Sequence, residues 1–416
     1  MFANKSAFMP KMIRKVDAVQ MNRMNKLQIL ALIRKSGVIS RAEIGSKTGL
    51  TAPTVSRIVE HLVHKDKLVS YVGMGESNGG RPPVIVQFNG KENYIIGIDL
   101  GATTIRGVLS DLEANFLMEV QITTDISKGF ETIMDQLGSV VDKLYGKRDL
   151  KKENVLGVGI GIPGLVNRKN GVVDFSPDFG WKNVNVRESL QSRLSLPFIY
   201  DNSTRLMALG ELAFGEGMKF DNFVVINIGY GIAAGIVIDG VTVKGSLGYA
   251  GEFGHITVDG KSDVQCKCGA MGCLEALASG RRIAQLGQEA AGRKKEGPLL
   301  DLCERDISRI DAKLVASAAL QGDEDAKKVY QEITTYLGIG IATLANLLDP
   351  QIIFIGGGVS FNGEIFFDNI RSAVKNYLIS PEKSVKIMPV TFGDYSTLTG
   401  ALSLISNRII NFEPIY

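Results

Sequence analysis

In the segment 51–62, Val55, Ile58, Val59 and Leu62 recur at the three- and four-residue spacing of a helix with one apolar face, leaving Thr54, Ser56, Arg57 and His61 on the other. Two helical stretches precede it. Residues 24–34 are rich in helix formers and stop at Ser36-Gly37; Ser40-Arg-Ala-Glu43 then makes a capping box, its hydroxyl and carboxylate satisfying orphan amides at the start of a short second helix. That helix reaches Thr48, Gly49-Leu50 supplies a tight turn, and Thr51 caps the third helix, with Pro53 tolerated in its first turn. Afterwards residues 67–72 and 83–88 alternate as strands around a glycine-rich tip at 73–80. Three short helices and a hairpin are the pattern of a winged helix-turn-helix.

From Tyr94 the pattern changes to apolar strands punctuated by glycine. Ile95-Ile-Gly-Ile-Asp-Leu100 runs into Gly101-Ala-Thr-Thr104, with a second strand, 105–110, at hairpin distance. Such a turn can expose amides to a phosphate, with Asp99 near a metal-bound nucleotide. The segments 155–164, 224–235 and 352–359 repeat the strand-then-glycine design. Several such turns in one α/β body predict lobes closing on a cleft.

The 416 residues are too many for one ordinary domain, and 45% hydrophobic content with 22% charge is that of a globular protein with ample core. No run approaches the ~18 to 20 apolar residues of a membrane span, so a cytoplasmic location is expected. The first 90 residues hold 14 Lys/Arg against 5 Asp/Glu, a net of +9; the remainder holds 33 against 39, a net of −6. A basic module on an acidic body is the charge footprint of a protein that touches a polyanion at one end. The free face of the third helix suits phosphates and base edges in a major groove. With Arg41 and Thr51 at the starts of the second and third helices, and Arg81 at the base of the wing, the expected DNA contacts are Arg41, Thr51, Thr54, Ser56, Arg57, His61 and Arg81. For Arg81, insertion in a minor groove and a salt bridge to the body are both open.

Three of the four cysteines and one of the three histidines fall in the segment 252–275, as His255, Cys266, Cys268 and Cys273, bracketed by Glu252 and Glu275. Three thiolates and one imidazole form the closed tetrahedral set of a structural Zn²⁺, with no position left for a catalytic water. Cys303 stands alone, so there is no disulfide framework.

Together these residues resemble the ROK family of sugar kinases and transcriptional repressors. The resemblance covers nearly the whole chain: Ser40-Arg41, Gly79-Gly-Arg-Pro82, Asp99-Leu-Gly-Ala-Thr103, Gly161-Ile-Pro-Gly164, the cluster at 252–275 and Gly356-Gly-Gly-Val359. The histidine and cysteine spacing followed by a glutamate is its specific part. The resemblance implies an α/β body with the two-lobed actin-like, ribonuclease H-like fold behind the winged helix, and zinc on His255, Cys266, Cys268 and Cys273. It also implies a sugar held between the lobes by Asn202, Glu252, His255 and Glu275, with Asp178 where many members have asparagine. Expected boundaries are 1–90 for the DNA-binding domain, 91–205 with 390–416 for one lobe, and 206–389 for the other.

Kinases of the family carry an Asn-Asp pair whose aspartate deprotonates the attacking sugar hydroxyl, eight residues before a glutamate. Here that glutamate is Glu211, and the pair is Asn202-Ser203. A serine hydroxyl is no base at neutral pH, although it can hydrogen-bond a sugar, and losing a positioned base costs on the order of 10²- to 10⁴-fold. Asp201, two positions away, could act only through a register shift. Tyr230 and Ala233 add bulk where the second phosphate loop would cradle ATP, which argues against ATP as a cofactor, although the first loop keeps its form. The expectation is a sugar-responsive DNA-binding regulator, a repressor of carbohydrate-use genes, that is not an enzyme and pairs as a homodimer or tetramer on a palindromic operator. The alternative is a bifunctional ATP-dependent sugar kinase bearing a DNA-binding module.

Overall fold

The computed structural model describes residues 18–75, 82–147, 150–359, 364–380, 382 and 384–416. They form two compact units, Met1–Asn93 with Asn407–Pro414, and Tyr94–Ser406 with Ile415–Tyr416. The first boundary lies three residues beyond position 90. The segment Asn407–Pro414, expected with a lobe, groups instead with the N-terminal unit.

The smaller unit contains α1 (Ala18–Ser36), β1 (Val38–Ser40), α2 (Arg41–Thr48), α3 (Ala52–His64), β2 (Val69–Met74) and β3 (Val84–Phe88). Helix α1 starts earlier than its sequence suggests, and β1, only three residues long, gives too little alternation to be read from sequence. Strand β3 lies between β1 and β2, antiparallel to both. The capping box at Ser40 forms as expected: its Oγ accepts from Glu43 N, and Glu43 Oε2 accepts from Ser40 N at 3.0 Å. Those bonds hold the Glu43 carboxyl below its ordinary value. Gly49, at φ 70°, closes α2 in the left-handed conformation. Thr51 departs from expectation, because its side chain caps no amide of α3 and its Oγ1 lies 2.9 Å from Thr54 Oγ1 instead. Ile29, Leu30 and Ile33 of α1 are buried, as are Ile44 of α2 and Val55, Ile58, Val59 and Leu62 of α3.

The body is built twice on one plan. Its first half contains β4 (Tyr94–Leu100), β5 (Thr104–Asp111), β6 (Phe116–Thr123), α4 (Gly129–Tyr145), β7 (Val155–Ile162), β8 (Leu165–Asn167), β9 (Val172–Ser176), β10 (Trp181–Val184), α5 (Val186–Gln191), β11 (Phe198–Asn202) and α6 (Ser203–Phe214). The second half contains β12 (Phe223–Ile228), β13 (Ile232–Ile238), β14 (Val241–Thr242), α7 (Leu274–Ala278), α8 (Gly280–Gly292), α9 (Pro298–Leu302), α10 (Ala312–Leu320), α11 (Glu324–Leu348), β15 (Ile352–Gly356), α12 (Glu364–Lys375) and β16 (Lys386–Pro389), and α13 (Ser396–Ile410) then returns to pack on the first half. One sheet runs β11-β7-β4-β5-β6 and the other β14-β13-β12-β15-β16. In each, the first three strands form an antiparallel meander and the last two join parallel to the first. Central strands such as β7 and β15 are buried almost throughout, which explains their unbroken apolar reading. Among the described residues no helix is long and apolar enough to cross a membrane.

Two glycines fix how α13 lies on this frame. A Cβ on Gly159 of β7 would stand 2.0 Å from the Ala401 carbonyl oxygen, and one on Gly400 would stand 1.8 Å from the Leu206 oxygen of α6. The glycines of these strands therefore serve close helix packing as well as turns. Gly400→Ala is expected to destabilise the body by on the order of 3 kcal/mol, because backbone, which cannot rotate away, meets the new methyl. Thermal unfolding of the variant checks this, and an unchanged midpoint would rule out the crossing described.

Candidate functional site

A cavity of about 290 Å³ opens between the two halves of the body at the ends of their strands, where ligands of α/β folds collect. Asp99 lies at the end of β4, followed by the Gly101 turn, whose amide donates to the Thr104 carbonyl at 2.9 Å. Gly164 follows β7; Asn202 and Ser203 stand where β11 passes into α6; Tyr230 and Gly231 form the turn between β12 and β13. A larger hollow, about 680 Å³, lies among α10, α11 and α12, but its lining carries no cluster of carboxylates or metal ligands.

Asn202 acts as the N-cap of α6: its Oδ1 accepts from Arg205 N at 3.1 Å, and its Nδ2 donates to the Gly164 carbonyl at 3.0 Å. One amide hydrogen is left for a ligand. Ser203 Oγ is buried beside the cavity with no partner among the described residues. A buried hydroxyl without a partner is costly, and a ligand hydroxyl would satisfy it. Asp201 does not take the place of a base. It is 2% exposed, and its carboxylate is held by Arg205 and by Arg168 Nη1 at 3.0 Å. A carboxylate held by two guanidiniums is committed to structure.

Glu252, His255 and Glu275 reach the cavity from the second half of the body, and Asp178 reaches it from the first. Glu275, 7% exposed, accepts the Ile232 amide on Oε2 at 3.0 Å. Burial pushes the Glu252 carboxyl up, His255 opposes the shift and Glu275 adds to it. Asp99 is raised to about 6, mainly by burial, with Arg106 lowering it and Asp394 raising it. His255 does two things with one ring: Nδ1 lies 3.6 Å from Cys266 Sγ, while Nε2 lies 3.9 Å from Glu252 Oε2 in the cleft.

The ligand atoms of His255, Cys266, Cys268 and Cys273 all fall within 4.8 Å of one another. Around one tetrahedral ion with metal–sulfur bonds of about 2.3 Å and metal–nitrogen bonds of about 2.0 Å, donors stand roughly 3.5 to 3.8 Å apart. The separations of 3.6 Å from Cys266 Sγ to His255 Nδ1 and 3.8 Å from Cys268 Sγ to Cys273 Sγ fit that figure. Burial pushes the Cys273 thiol up to about 12, and the adjacent sulfurs add to the shift. A divalent cation would take the thiolates as ligands, so its binding must expel protons and weaken at low pH.

In the N-terminal unit, Thr51 and Arg57 are exposed and Thr54, Ser56 and His61 half-exposed. Arg57 Nη2 reaches Asn22 Oδ1 of α1 at 3.0 Å, a contact weak enough to exchange for phosphate. Arg41 does not stand free as expected: its Nη2 is 2.6 Å from Glu60 Oε1 and bonds the Tyr71 hydroxyl, tying α2 to α3 and the wing strand. His61 Nδ1 contacts Asp66 Oδ2 at 3.0 Å. Arg81 lies outside the described residues. Sequence reading missed Arg168 and Arg205, the cavity residues Ser396 and Thr397 at the start of α13, and Lys267, 2.9 Å from Asp178. Apart from Arg205, four residues from Asp201, no local spacing marks them, because only the fold brings them beside the cleft.

The family model described as ROK family matches residues 95–408, and a winged helix-turn-helix DNA-binding model matches residues 25–67. The chain is 31% identical over 393 residues to the xylose repressor of Caldicellulosiruptor bescii, covering 94% of this chain and 98% of that protein. It is 34% identical over 289 residues to a glucokinase of Halalkalibacterium halodurans, covering 69% and 87% respectively. Among solved structures, a ROK family transcriptional regulator described as a homologue of the E. coli MLC protein matches with TM-score 0.77 and 27% identity over 94% of this chain and 97% of that one. A ROK family glucokinase from Streptomyces griseus in complex with glucose and AMPPNP matches with TM-score 0.69 and 32% identity over 75% and 99%.

Two outcomes are expected. Cys268→Ser should lower bound zinc well below one per chain, measured by elemental analysis after dialysis, and full zinc content would exclude this ligand set. For Asp99, a folded value of about 6 against an ordinary 3.8 means that the folded state favours the protonated form. The cost of ionising it is absent below pH 4, grows between pH 4 and 6 and is complete above. Asp99→Asn should therefore unfold at a higher temperature than the parent at pH 7.5, by on the order of 1–3 kcal/mol, with little gain at pH 4.5. A gain independent of pH would remove the assigned cause.

Proposed function

The chain belongs to the ROK family and carries an N-terminal winged helix-turn-helix, and from that premise we propose a sugar-responsive DNA-binding repressor whose kinase-like body senses its effector without phosphorylating it. The observation that carries this reading is the cleft at the start of α6. The hydroxyl of Ser203 faces the cavity unpartnered, and the adjacent Asp201 is engaged by two arginines. The site has groups to hold a sugar and no positioned base to activate one.

The effector is a monosaccharide of the xylose type, since relatives matched over 93–95% of this chain carry the name xylose repressor or putative xylose repressor. Asn202, Ser203, Asp178, Glu252, His255 and Glu275 supply donors and acceptors to its hydroxyls. A structural zinc on His255, Cys266, Cys268 and Cys273 holds the segment that carries two of those acceptors, and takes no part in chemistry. The body comprises two lobes, 94–205 with α13 and 206–389. Thr51, Thr54, Ser56, Arg57, His61 and Arg81 meet the operator, while Arg41 braces the module from within. The protein works in the cytoplasm as a homodimer on a palindromic site, its two recognition helices about 34 Å apart or a multiple of it.

Release follows as a population shift: a sugar that prefers one lobe arrangement draws the body into it. Helix α13 is suited to carry this change, because Ser396 and Thr397 line the cavity while its last residues group with the DNA-binding unit. There Arg23 donates to the Asn411 carbonyl at 3.1 Å, and the Lys26 ammonium lies 3.7 Å over the Phe412 ring.

Operator fragments from the protein's own control region should be bound in a gel shift and released by millimolar D-xylose. Arg57→Ala should weaken operator binding about tenfold or more and leave calorimetric sugar affinity unchanged. Sugar-dependent ATP turnover above background would favour a bifunctional kinase instead, and absence of heat with every monosaccharide would remove the sensor.

A further inference from the structure

We infer that Lys267 is a specificity-determining residue of the effector pocket, a cation delivered across the cleft by the metal loop to fix Asp178 as an acceptor for one sugar hydroxyl. This rests on the sugar-sensor reading given above. Lys267 lies between Cys266 and Cys268, so its backbone is pinned on both sides when both cysteines bind one ion. The loop is tight in itself: Cys266 N donates to Ala270 O at 2.8 Å, and Gly269 N to Cys266 O at 2.9 Å. From it, Lys267 Nζ reaches Asp178 Oδ1 at 2.9 Å and stands 4.9 Å from the centroid of the Tyr230 ring.

Asp178 follows β9 in the first half of the body, whereas the metal loop follows β14 in the second. The ion pair therefore spans the cleft. An exposed ion pair alone would contribute little. This one has a further consequence, because the cavity lining carries five carboxylates, Asp99, Asp178, Glu252, Glu275 and Asp394, and no lysine or arginine among the described residues. Lys267 is the cation that fixes the Asp178 carboxylate at this edge of the cavity. It leaves Oδ2 turned toward the cavity side, where Gly231 lies close enough that a Cβ on it would stand 3.9 Å away. A carboxylate held in this way accepts a hydroxyl hydrogen from a defined direction. A sugar with the opposite configuration at that carbon leaves it unpaired, and sites built on such acceptors discriminate steeply. Tyr230 limits the other exit of the ammonium, so that Lys267 is held by the metal loop, an aromatic face and a carboxylate together.

The test is calorimetry of the full-length protein, zinc-loaded, against D-xylose and its three epimers D-lyxose, D-ribose and L-arabinose. Lys267→Met should weaken binding of the preferred pentose about tenfold or more and bring its ratio over the epimers toward one. Asp178→Asn should do the same, the double variant should lose little beyond either single one, and Lys267→Arg should recover most of the ratio. Zinc content and operator affinity without sugar should equal those of the parent. Unchanged sugar ratios in Lys267→Met, additive losses in the double variant, or a loss of zinc with Lys267→Met would each overturn the inference. If the parent protein itself binds no pentose or hexose, the sensor reading falls first.

Discussion

The position of α13 against β7 and α6 constrains everything in the body that bears on a ligand. Backbone touches backbone at Gly159 and Gly400, closer than any side chain would permit. Helix α6 therefore cannot slide along α13, and the residues at its start, Asn202 and Ser203, are held opposite Thr397. A packed glycine crossing of this kind is stiff, because interiors transmit displacement instead of absorbing it. Helix α13 begins at the cavity with Ser396 and Thr397. Its far end groups with the DNA-binding unit, where Arg408 and Glu413 pair at 2.6 Å and Arg23 and Lys26 of α1 hold the following turn.

The cleft is rich in groups that donate and accept hydrogen bonds. An acceptor-rich wall, an N-terminal helix cap and an unpartnered hydroxyl are what a polyol needs. Asp201 is committed to its neighbours. Freeing its carboxylate would strand the guanidiniums of Arg168 and Arg205 in a buried setting, a cost of several kcal/mol.

Much of this was legible in the sequence where the signal was local. The capping box at Ser40, the apolar face of α3, the glycine turn at Gly49 and the cysteine spacing each depend on residues within a few positions of one another. Most of what was not legible depends on pairing across the chain. Strand β1 is too short to alternate. Thr51 looked like a cap, but its hydroxyl turned to Thr54. Arg41, read as a DNA contact, met Glu60 nineteen residues away. The Lys267–Asp178 pair joins positions 89 apart, and the grouping of 407–414 with the N-terminal unit joins the two ends of the chain. Composition records that such charges exist; only topology says which ones meet.

Sugar control of DNA binding obeys a symmetry that the architecture must respect. If an effector lowers operator affinity by some factor, bound operator lowers effector affinity by the same factor, because both measure one difference between two states. A cleft that merely binds sugar tightly would shift nothing. The pocket must therefore be better formed in one lobe arrangement than in the other, and groups that span the cleft are the natural source of that difference. Glu252 and Glu275 line the cavity from the second half of the body, whereas Asp178 and the Asn202-Ser203 pair line it from the first. A ligand held from both sides is satisfied only when the halves stand at one separation.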